Sequence, residues 1–402
     1  MKLSVNNKIG TLHSTVRWGH NGIYHTDCFG DQQINFYRDC FPEAVYDAVE
    51  NSETGNRIDL EFNVDELIPF ENKNDVVKIP PHQFNRFVRK DQPVHPFAGR
   101  FYPKGMLLGQ PGIFKVNMTP FRMVDVCEDH LKVDLRHPMA GKTISLNLDI
   151  ENIQNNHSER GGSCNDWRGN ILDGIGMKTR YNGTPTDFFK EDTFKRLDES
   201  PDTRFYQMPR YVNHLDDTAI RTIRNQYEKI LKPETKVLDL MSSWTSHLPE
   251  GRRFEKVTGL GLNEAELKRN ERLTDYVVHD LNKNTDITLE TNGYDAVICA
   301  ASIEYLIHPF ETFKEISRIL KPDGIFAISF SNRWFSPKAI HIWKELHEFE
   351  RVGFVLELFL QSGGFKNIQT YSMRGLERPS NDKYYGDHYH SDPVFMVWGQ
   401  NK

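Results

Sequence analysis

Apolar and polar residues alternate with a period of two through the first third of the chain, then recur with a period near 3.6 further on. Arg57–Val64 (RIDLEFNV) and Lys142–Ile150 (KTISLNLDI) place an apolar side chain at every second position, the pattern of half-buried strands. Phe121–Leu135 reads as two such strands joined by a turn at Glu128 and Asp129, and Pro80-Pro81 and Pro103–Gly109 punctuate the region. Residues 151–176 are polar and glycine-rich, which predicts a linker and a domain boundary. From Asp216 the pattern changes. Ile220, Ile223, Tyr227, Ile230 and Leu231 fall on one helical face behind two aspartates. Four short apolar runs follow: KVLDLM, KVTGLGL, YDAVICAA and GIFAISF, at 236–241, 256–262, 294–301 and 324–330. Helical stretches are expected between them, which predicts a parallel sheet built from βα units. Within 308–320, Pro309 suits a first helical turn, Phe310, Phe313, Ile316, Ile319 and Leu320 share a face, and Lys321-Pro322-Asp323-Gly324 ends the helix.

Composition narrows the class. With 402 residues the chain exceeds one ordinary core, and 38% hydrophobic with 26% charged residues describes a water-soluble globular protein. A net charge of -6 excludes a general nucleic-acid binder, which needs a basic face. Five cysteines, odd in number, scattered and without a CxxC pair, indicate neither a zinc knuckle nor a disulfide framework. The N-terminus lacks an apolar signal core, and no run approaches the ~20 apolar residues of a membrane span. A cytoplasmic location is the expectation.

The elements GNRIDLEF, KIPPHQF and the closing run Arg136–Lys142 (RHPMAGK) resemble the FK506-binding-protein family, in particular its SlyD-like prolyl isomerases and chaperones. The resemblance covers about residues 1–150. It implies a β-rich α+β domain whose flap carries an insert near 80–137, with a peptide as partner and a homodimer as one arrangement. Ile68 and Pro42 stand where that family has a pocket aromatic and a pocket isoleucine. Twisting a prolyl amide needs an apolar cradle that desolvates the carbonyl, so a structural, dimerising or peptide-binding role is expected in place of isomerisation.

In the second half, VLDLMSSWTSHLP (237–249) begins as a buried strand ending in an acid, but serines stand where a nucleotide loop has glycines. Downstream, YDAVICAASIEYLIHPFETFKEISRILKPDGIFAISF resembles strand 4, the next helix and the turn of class I S-adenosylmethionine-dependent methyltransferases, of a type-11-like kind. This implies an α/β Rossmann-like domain over about 181–402, after a linker at 151–180, with S-adenosylmethionine as cofactor and no metal. By position the resemblance assigns Asp239, Met241, Ser242 and Ser243 to the first cofactor loop. Gly261 falls where a ribose-binding acid is usual, with Asn263 offering an amide instead. Asp280 and Leu281 would meet the adenine, and Ala300, Ala301 and Ser302 would lie beside the cofactor.

Methyl transfer is an in-line displacement. It needs alignment, exclusion of water and, for hydroxyl or ammonium nucleophiles, a base. The run FYQMPRYVNHLDD concentrates Tyr206, Arg210, His214 and Asp216. Tyr206 and His214 are candidate catalytic residues. Asp216 either orients His214 or caps the following helix, and Arg210 either clamps an anionic substrate group or pairs with Asp216. Tyr305 after strand 4, and Asn332, Arg333 and Trp334 after strand 5, are candidate substrate contacts. His388 and His390, close in sequence to Asp387 and Asp392, read as a solvated loop and not as a metal site. The expected partner is a small-molecule methyl acceptor, which Arg210 and Arg333 suggest is anionic, with no nucleic acid and no membrane. The alternatives are a protein methyltransferase fed by the first domain, or a folding factor with an inactive second half.

Overall fold

The computed structural model describes residues 8–50, 52–68, 76–87, 93–155 and 161–402. Parts of the expected flap insert (88–92) and linker (156–160) therefore lie outside the described residues. The chain forms two compact units. The first takes the described residues of Met1–Asn21, Gln33–Lys190 and Leu346–Glu357; the second takes Gly22–Gln32, Glu191–Glu345 and Leu358–Lys402.

The first half supplies strands β1 (Lys8–His20), β2 (Ile23–Asn35), β3 (Arg57–Asn63), β4 (Val76–Ile79), β5 (Phe101–Pro103), β6 (Pro120–Val126), β7 (Leu131–Asp134) and β8 (Thr143–Asn155), with helices α1 (Glu43–Glu50) and α2 (Val64–Leu67). In the first unit β8 pairs antiparallel with β1 and with β3. The period-two pattern is realised: Ile144, Leu146, Leu148 and Ile150 of β8 are buried, as are Ile58 and Phe62 of β3. Strands β4 to β7 form a separate antiparallel sheet in the order β4-β7-β6-β5. Phe84, Tyr102, Phe121, Met123, Leu131 and Val133 form its own core. The turn expected at Glu128 and Asp129 joins β6 to β7, closed by the Cys127 amide donating to the His130 carbonyl at 2.9 Å.

The expected linker differs from the structure. β8 runs on to Asn155, and helix α3 (Trp167–Leu172) follows, its N-cap Asp166 accepting from the Arg168 amide. A 3-10 turn over Ile175–Lys178 comes next. Trp167, Ile171, Leu172 and Ile175 are each at most 2% exposed. The segment looks polar because its outward residues outnumber its inward ones, yet the inward ones are large and anchor it. Gly176 is required there, since a Cβ would meet the Pro138 carbonyl oxygen at 2.4 Å.

The second unit contains α4 (Asp202–Phe205), α5 (Asp217–Ile230), β9 (Lys236–Leu240), β10 (Lys256–Gly261), α6 (Glu264–Arg269), β11 (Asp275–Val278), β12 (Tyr294–Ala300), α7 (Pro309–Ile319), β13 (Leu320–Phe330) and α8 (His341–Glu345). Helix α9 (Glu348–Ser362) follows, its residues shared between the two units, and then β14 (Phe365–Arg374) and β15 (Val394–Asn401). The strands lie in the order β11-β10-β9-β12-β13-β15-β14-β2. The four apolar runs read from the sequence become β10, β9, β12 and β13, all mutually parallel. β15 is antiparallel to β13 and to β14. β2, from the start of the chain, extends this sheet by pairing parallel to β14, from Tyr24 opposite Gln369 to Phe29 opposite Arg374. The face of α5 carrying Ile220, Ile223 and Tyr227 packs on Val237, Ile298 and Ala327 of the sheet. The helices expected between runs are fewer than predicted: residues 241–255, between β9 and β10, are irregular. Pro249 and Gly251 interrupt that stretch, and its Ser242 and Ser246 hydroxyls are spent on the nearby Asp239.

Candidate functional site

The carboxyl ends of β9, β10 and β12 open into one cleft of about 1240 Å³, its mouth included. Parallel strands bring residues distant in sequence to one sheet edge, and the crevice at that edge is where α/β folds bind ligands. Of the residues singled out from sequence, Tyr206, Arg210, His214, Asp239, Met241, Ser242, Ser243, Gly261, Asn263, Asp280, Leu281, Ala300, Ala301, Ser302 and Tyr305 line it.

The missing glycines of the first loop have a structural explanation. Asp239 is 4% exposed, and its Oδ2 accepts from the Ser242 hydroxyl at 2.7 Å and the Ser246 hydroxyl at 2.5 Å. Burial pushes its carboxyl up to about 6, against the pull of these two donors. Met241 adopts a left-handed φ of 56°, and the Ser242 amide donates to the Leu260 carbonyl at 2.8 Å. The close approach occurs instead at β10, where a Cβ on Gly261 would meet the Ser242 carbonyl oxygen at 2.2 Å. The glycine that the loop needs sits on the neighbouring strand.

Asn263 is used differently from the sequence expectation. Its Oδ1 caps α6 by accepting from the Ala265 and Glu266 amides, and its Nδ2 donates to the carbonyls of Tyr206 and Gln207. The amide expected to bond a ribose therefore pins the segment carrying Tyr206. The carboxylate presented here is Glu266, which the sequence reading missed. It accepts from the Ser243 hydroxyl at 2.6 Å and the Arg210 amide at 2.7 Å. Its signal was its place at the third position of α6, directly after a strand of the sheet. Just beyond the next strand, β11, Asp280 Oδ1 accepts from the Asn282 amide at 3.0 Å, and the buried Leu281 forms an apolar shelf beside it.

The opposite wall is aromatic. The rings of Tyr206, Tyr305 and Phe335 stand 6.1 to 6.5 Å apart, and His214 meets Phe335 edge-on at 4.9 Å. The Arg210 guanidinium lies 4.7 Å from the Phe335 centroid and 4.8 Å from that of Phe205. Its Nη1 and the Tyr206 hydroxyl are buried without a hydrogen-bond partner, which leaves both able to bond a ligand in the cleft. Burial, and then the nearby Asp202 and Glu304 carboxylates, raise the Tyr206 phenol above its ordinary range. Burial, and then Arg210, lower the His214 imidazole.

Four predicted residues do not line the cleft. Asp216 is 3% exposed and caps α5, Oδ1 accepting from the Ala219 amide at 2.9 Å and Oδ2 from the Asp392 amide at 2.7 Å. Arg378 stands 3.3 Å from it. With its lone pairs spent this way, Asp216 caps and does not orient His214. Arg333 donates from Nε to Asp392 at 3.0 Å and stacks 4.1 Å from the Tyr384 ring, so it is no second anion clamp. Asn332 and Trp334 also fall outside; Phe335 is the residue of that loop that enters the cleft. Lys338, fully buried, bridges Asp202 at 3.1 Å and Asp198 at 3.4 Å, while Arg196 grips both oxygens of Asp202 at 2.8 Å. This buried pairing seats the segment that leads into Tyr206. His388 and His390 belong to no group of ligand-bearing side chains among the described residues. Asp125, Cys127 and His130, in the first unit, do form one, with candidate ligand atoms within 4.8 Å of one another.

The cleft suits S-adenosylmethionine. Glu266 and Asp280 offer acceptors for hydroxyl and amino groups, Leu281 offers an apolar shelf for a ring, and the aromatic wall suits a sulfonium. Residues 242–328 match the family model described as a methyltransferase domain. No curated protein matches the chain. Among solved structures, it is similar to a putative S-adenosylmethionine dependent methyltransferase from Listeria monocytogenes at 16% identity, with 46% of this chain and 100% of that one covered and a TM-score of 0.32. It is likewise similar to a SAM dependent methyltransferase from Aquifex aeolicus at 17% identity, covering 50% and 97% with a TM-score of 0.32. A third is the PH0226 protein from Pyrococcus horikoshii, at 18% identity, covering 50% and 99%, also with a TM-score of 0.32. The family match over 242–328 and the parallel strand order together support a class I methyltransferase fold around these residues, with S-adenosylmethionine as its cofactor.

Proposed function

We propose that the protein transfers the methyl group of S-adenosylmethionine to a small-molecule acceptor bearing an anionic group. The observation that carries this reading is Arg210: a guanidinium boxed by aromatic rings at the cleft wall, with a buried Nη1 that no protein group satisfies. A carboxylate or phosphate on the acceptor completes it with a charge-assisted bond. The bound cofactor supplies an electrophilic methyl group on a sulfonium. Around it, Glu266 and Asp280 hold hydroxyl and amino groups, and Leu281 excludes water from one face. His214, neutral at physiological pH because its pKa is lowered, accepts the proton that an oxygen or nitrogen nucleophile sheds. The Tyr206 phenol, which resists ionisation, donates a hydrogen bond that positions the acceptor. Asp216 holds the helix next to this segment and takes no part in the chemistry.

The first unit, in this reading, is an FK506-binding-like domain in a structural or peptide-binding role. A separately cored insert supports it, as do the exposed Phe114, Val116 and Met118 on that insert. Those same residues favour the second reading, in which a peptide is the acceptor. No described helix is long and apolar enough to cross a membrane, and a cytoplasmic location is part of the proposal. Labelled-methyl transfer into a cell extract, split into protein and small-molecule fractions, tests it. Label in the small-molecule fraction, lost on Arg210→Met, is the expected result. Label confined to protein overturns it in favour of the second reading.

A further inference from the structure

Cys40 and Cys164 lie 124 positions apart in sequence, yet their Sγ atoms stand 3.5 Å apart, and both residues are exposed. The surrounding backbone fixes this proximity. The Cys40 amide donates to the Asn165 carbonyl at 2.9 Å, and the Trp167 amide returns a bond to the Cys40 carbonyl at 3.3 Å. Asp39 Oδ1 accepts from the Asn165 amide at 3.1 Å, and Arg38 donates from Nη1 to the Gly161 carbonyl at 2.7 Å. Trp167, buried within this stitching, meets the Phe41 ring at 5.3 Å with the planes tilted by 38°. Each thiol is thus carried on backbone anchored by a large aromatic. The other three cysteines have no such neighbour: Cys28 and Cys299 are buried, and Cys127 makes its bond to Asp125.

We propose that Cys40 and Cys164 are a redox-active dithiol that closes to an intramolecular disulfide by exchange with a low-molecular-weight disulfide of the glutathione type. One cysteine, as thiolate, attacks a sulfur of that disulfide; a protein–glutathione bond forms and one glutathione thiolate leaves. The second cysteine, as thiolate, attacks the protein sulfur of the mixed disulfide and releases the second glutathione. The two protein thiols are oxidised, the small disulfide is reduced to two thiols, and the protons given up by the cysteines are taken by the leaving thiolates. Closing the pair needs the sulfurs to approach by about 1.5 Å to reach a disulfide length near 2.05 Å, a movement within side-chain rotation. Prior anchoring makes the second step intramolecular and fast. The pair was invisible in the sequence because no short spacing marks it.

The test uses the full chain in a glutathione redox buffer, quenched by alkylation and read by intact mass, thiol count under denaturing conditions, and peptide mapping. The expected product, apart from the alkyl groups on its free thiols, has lost the mass of two hydrogens; it shows three thiols where the reduced chain has five cysteines and yields a cross-linked Cys40–Cys164 peptide pair. The mixed adduct at this pair should resolve about 100-fold faster than glutathione leaves Cys127. C40S and C164S should each accumulate a glutathione adduct on the surviving partner, and C127S should behave as the parent. Stable glutathione adducts on both Cys40 and Cys164 of the parent chain, or five free thiols under the same buffer, overturn the proposal. Neither outcome depends on the serine variants folding.

Discussion

Asp239 places an ionisable group where it opposes folding, and replacing it by asparagine separates its two duties. Its carboxyl is raised from 3.8 to about 6, roughly two units, and at about 1.4 kcal/mol per unit the ionised form weakens the fold by about 3 kcal/mol. The sign follows from the direction of the shift. Between pH 3.8 and 6 the folded state holds the proton more tightly than the unfolded state, so stability is greatest below this window and falls as pH rises through it. Asparagine keeps an oxygen for the hydroxyls of Ser242 and Ser246 and removes the charge. Asp239→Asn should therefore gain up to about 3 kcal/mol over the parent at pH 8, the difference closing by pH 4. Asp239 also lines the cleft, so the same variant, having lost a negative charge there, should bind the cationic S-adenosylmethionine more weakly. Urea unfolding at pH 4 and pH 8, with calorimetric titration of S-adenosylmethionine at pH 8, reads both effects. A variant whose stability relative to the parent is the same at the two pH values refutes the reasoning.

Tyr206→Phe removes a hydroxyl that has no protein partner, so it should shift stability by less than about 0.5 kcal/mol while lowering methyl transfer about tenfold, as seen by denaturation and by labelled-methyl turnover. The rate should show an acid limb set by His214, with activity present above its lowered pKa and lost as pH falls through it; His214→Gln should flatten that limb in a kcat/KM profile. Gly261→Ala drives a methyl group into the Ser242 carbonyl and should cost about 2 kcal/mol of stability together with cofactor affinity, measured by melting with and without S-adenosylmethionine. Lys338→Met leaves Asp198 and Asp202 short of a buried cation and should destabilise by about 3 kcal/mol in denaturant titration.

The apolar runs were legible because a buried parallel strand must be apolar along its whole length, and those of 236–241, 256–262, 294–301 and 324–330 all became strands of one sheet. The cleft followed from their order, since the carboxyl ends of such strands share one edge. What failed were roles that depend on a neighbour remote in sequence. Asp216 and Arg333 both bond Asp392, a residue of the tail that no local pattern ties to them. Asn263 was assigned to a ligand although its position before Glu264 is that of a helix cap. Phe335 lines the cleft but carries no polar atom to mark it in the sequence, unlike its neighbours Asn332 and Arg333. The supposed linker was misjudged by composition: Trp167, Ile171 and Ile175 recur at a spacing of four, a periodicity that outweighs the glycines around them.

Excision of residues 181–402 as a stand-alone enzyme would remove β2 from its place beside β14. The bond between His25 and Thr370 at 2.8 Å and that from Ser372 to Asp27 at 2.6 Å would vanish with it. Tyr371, which packs with Cys28, would lose cover, and the backbone of Gln369–Arg374 would face water as an unpaired rim, ready to recruit a strand from another molecule. Expression of the catalytic half requires carrying Gly22–Gln32 along, by circular permutation or as a co-expressed peptide; without it, clumping is the foreseeable fate of the fragment.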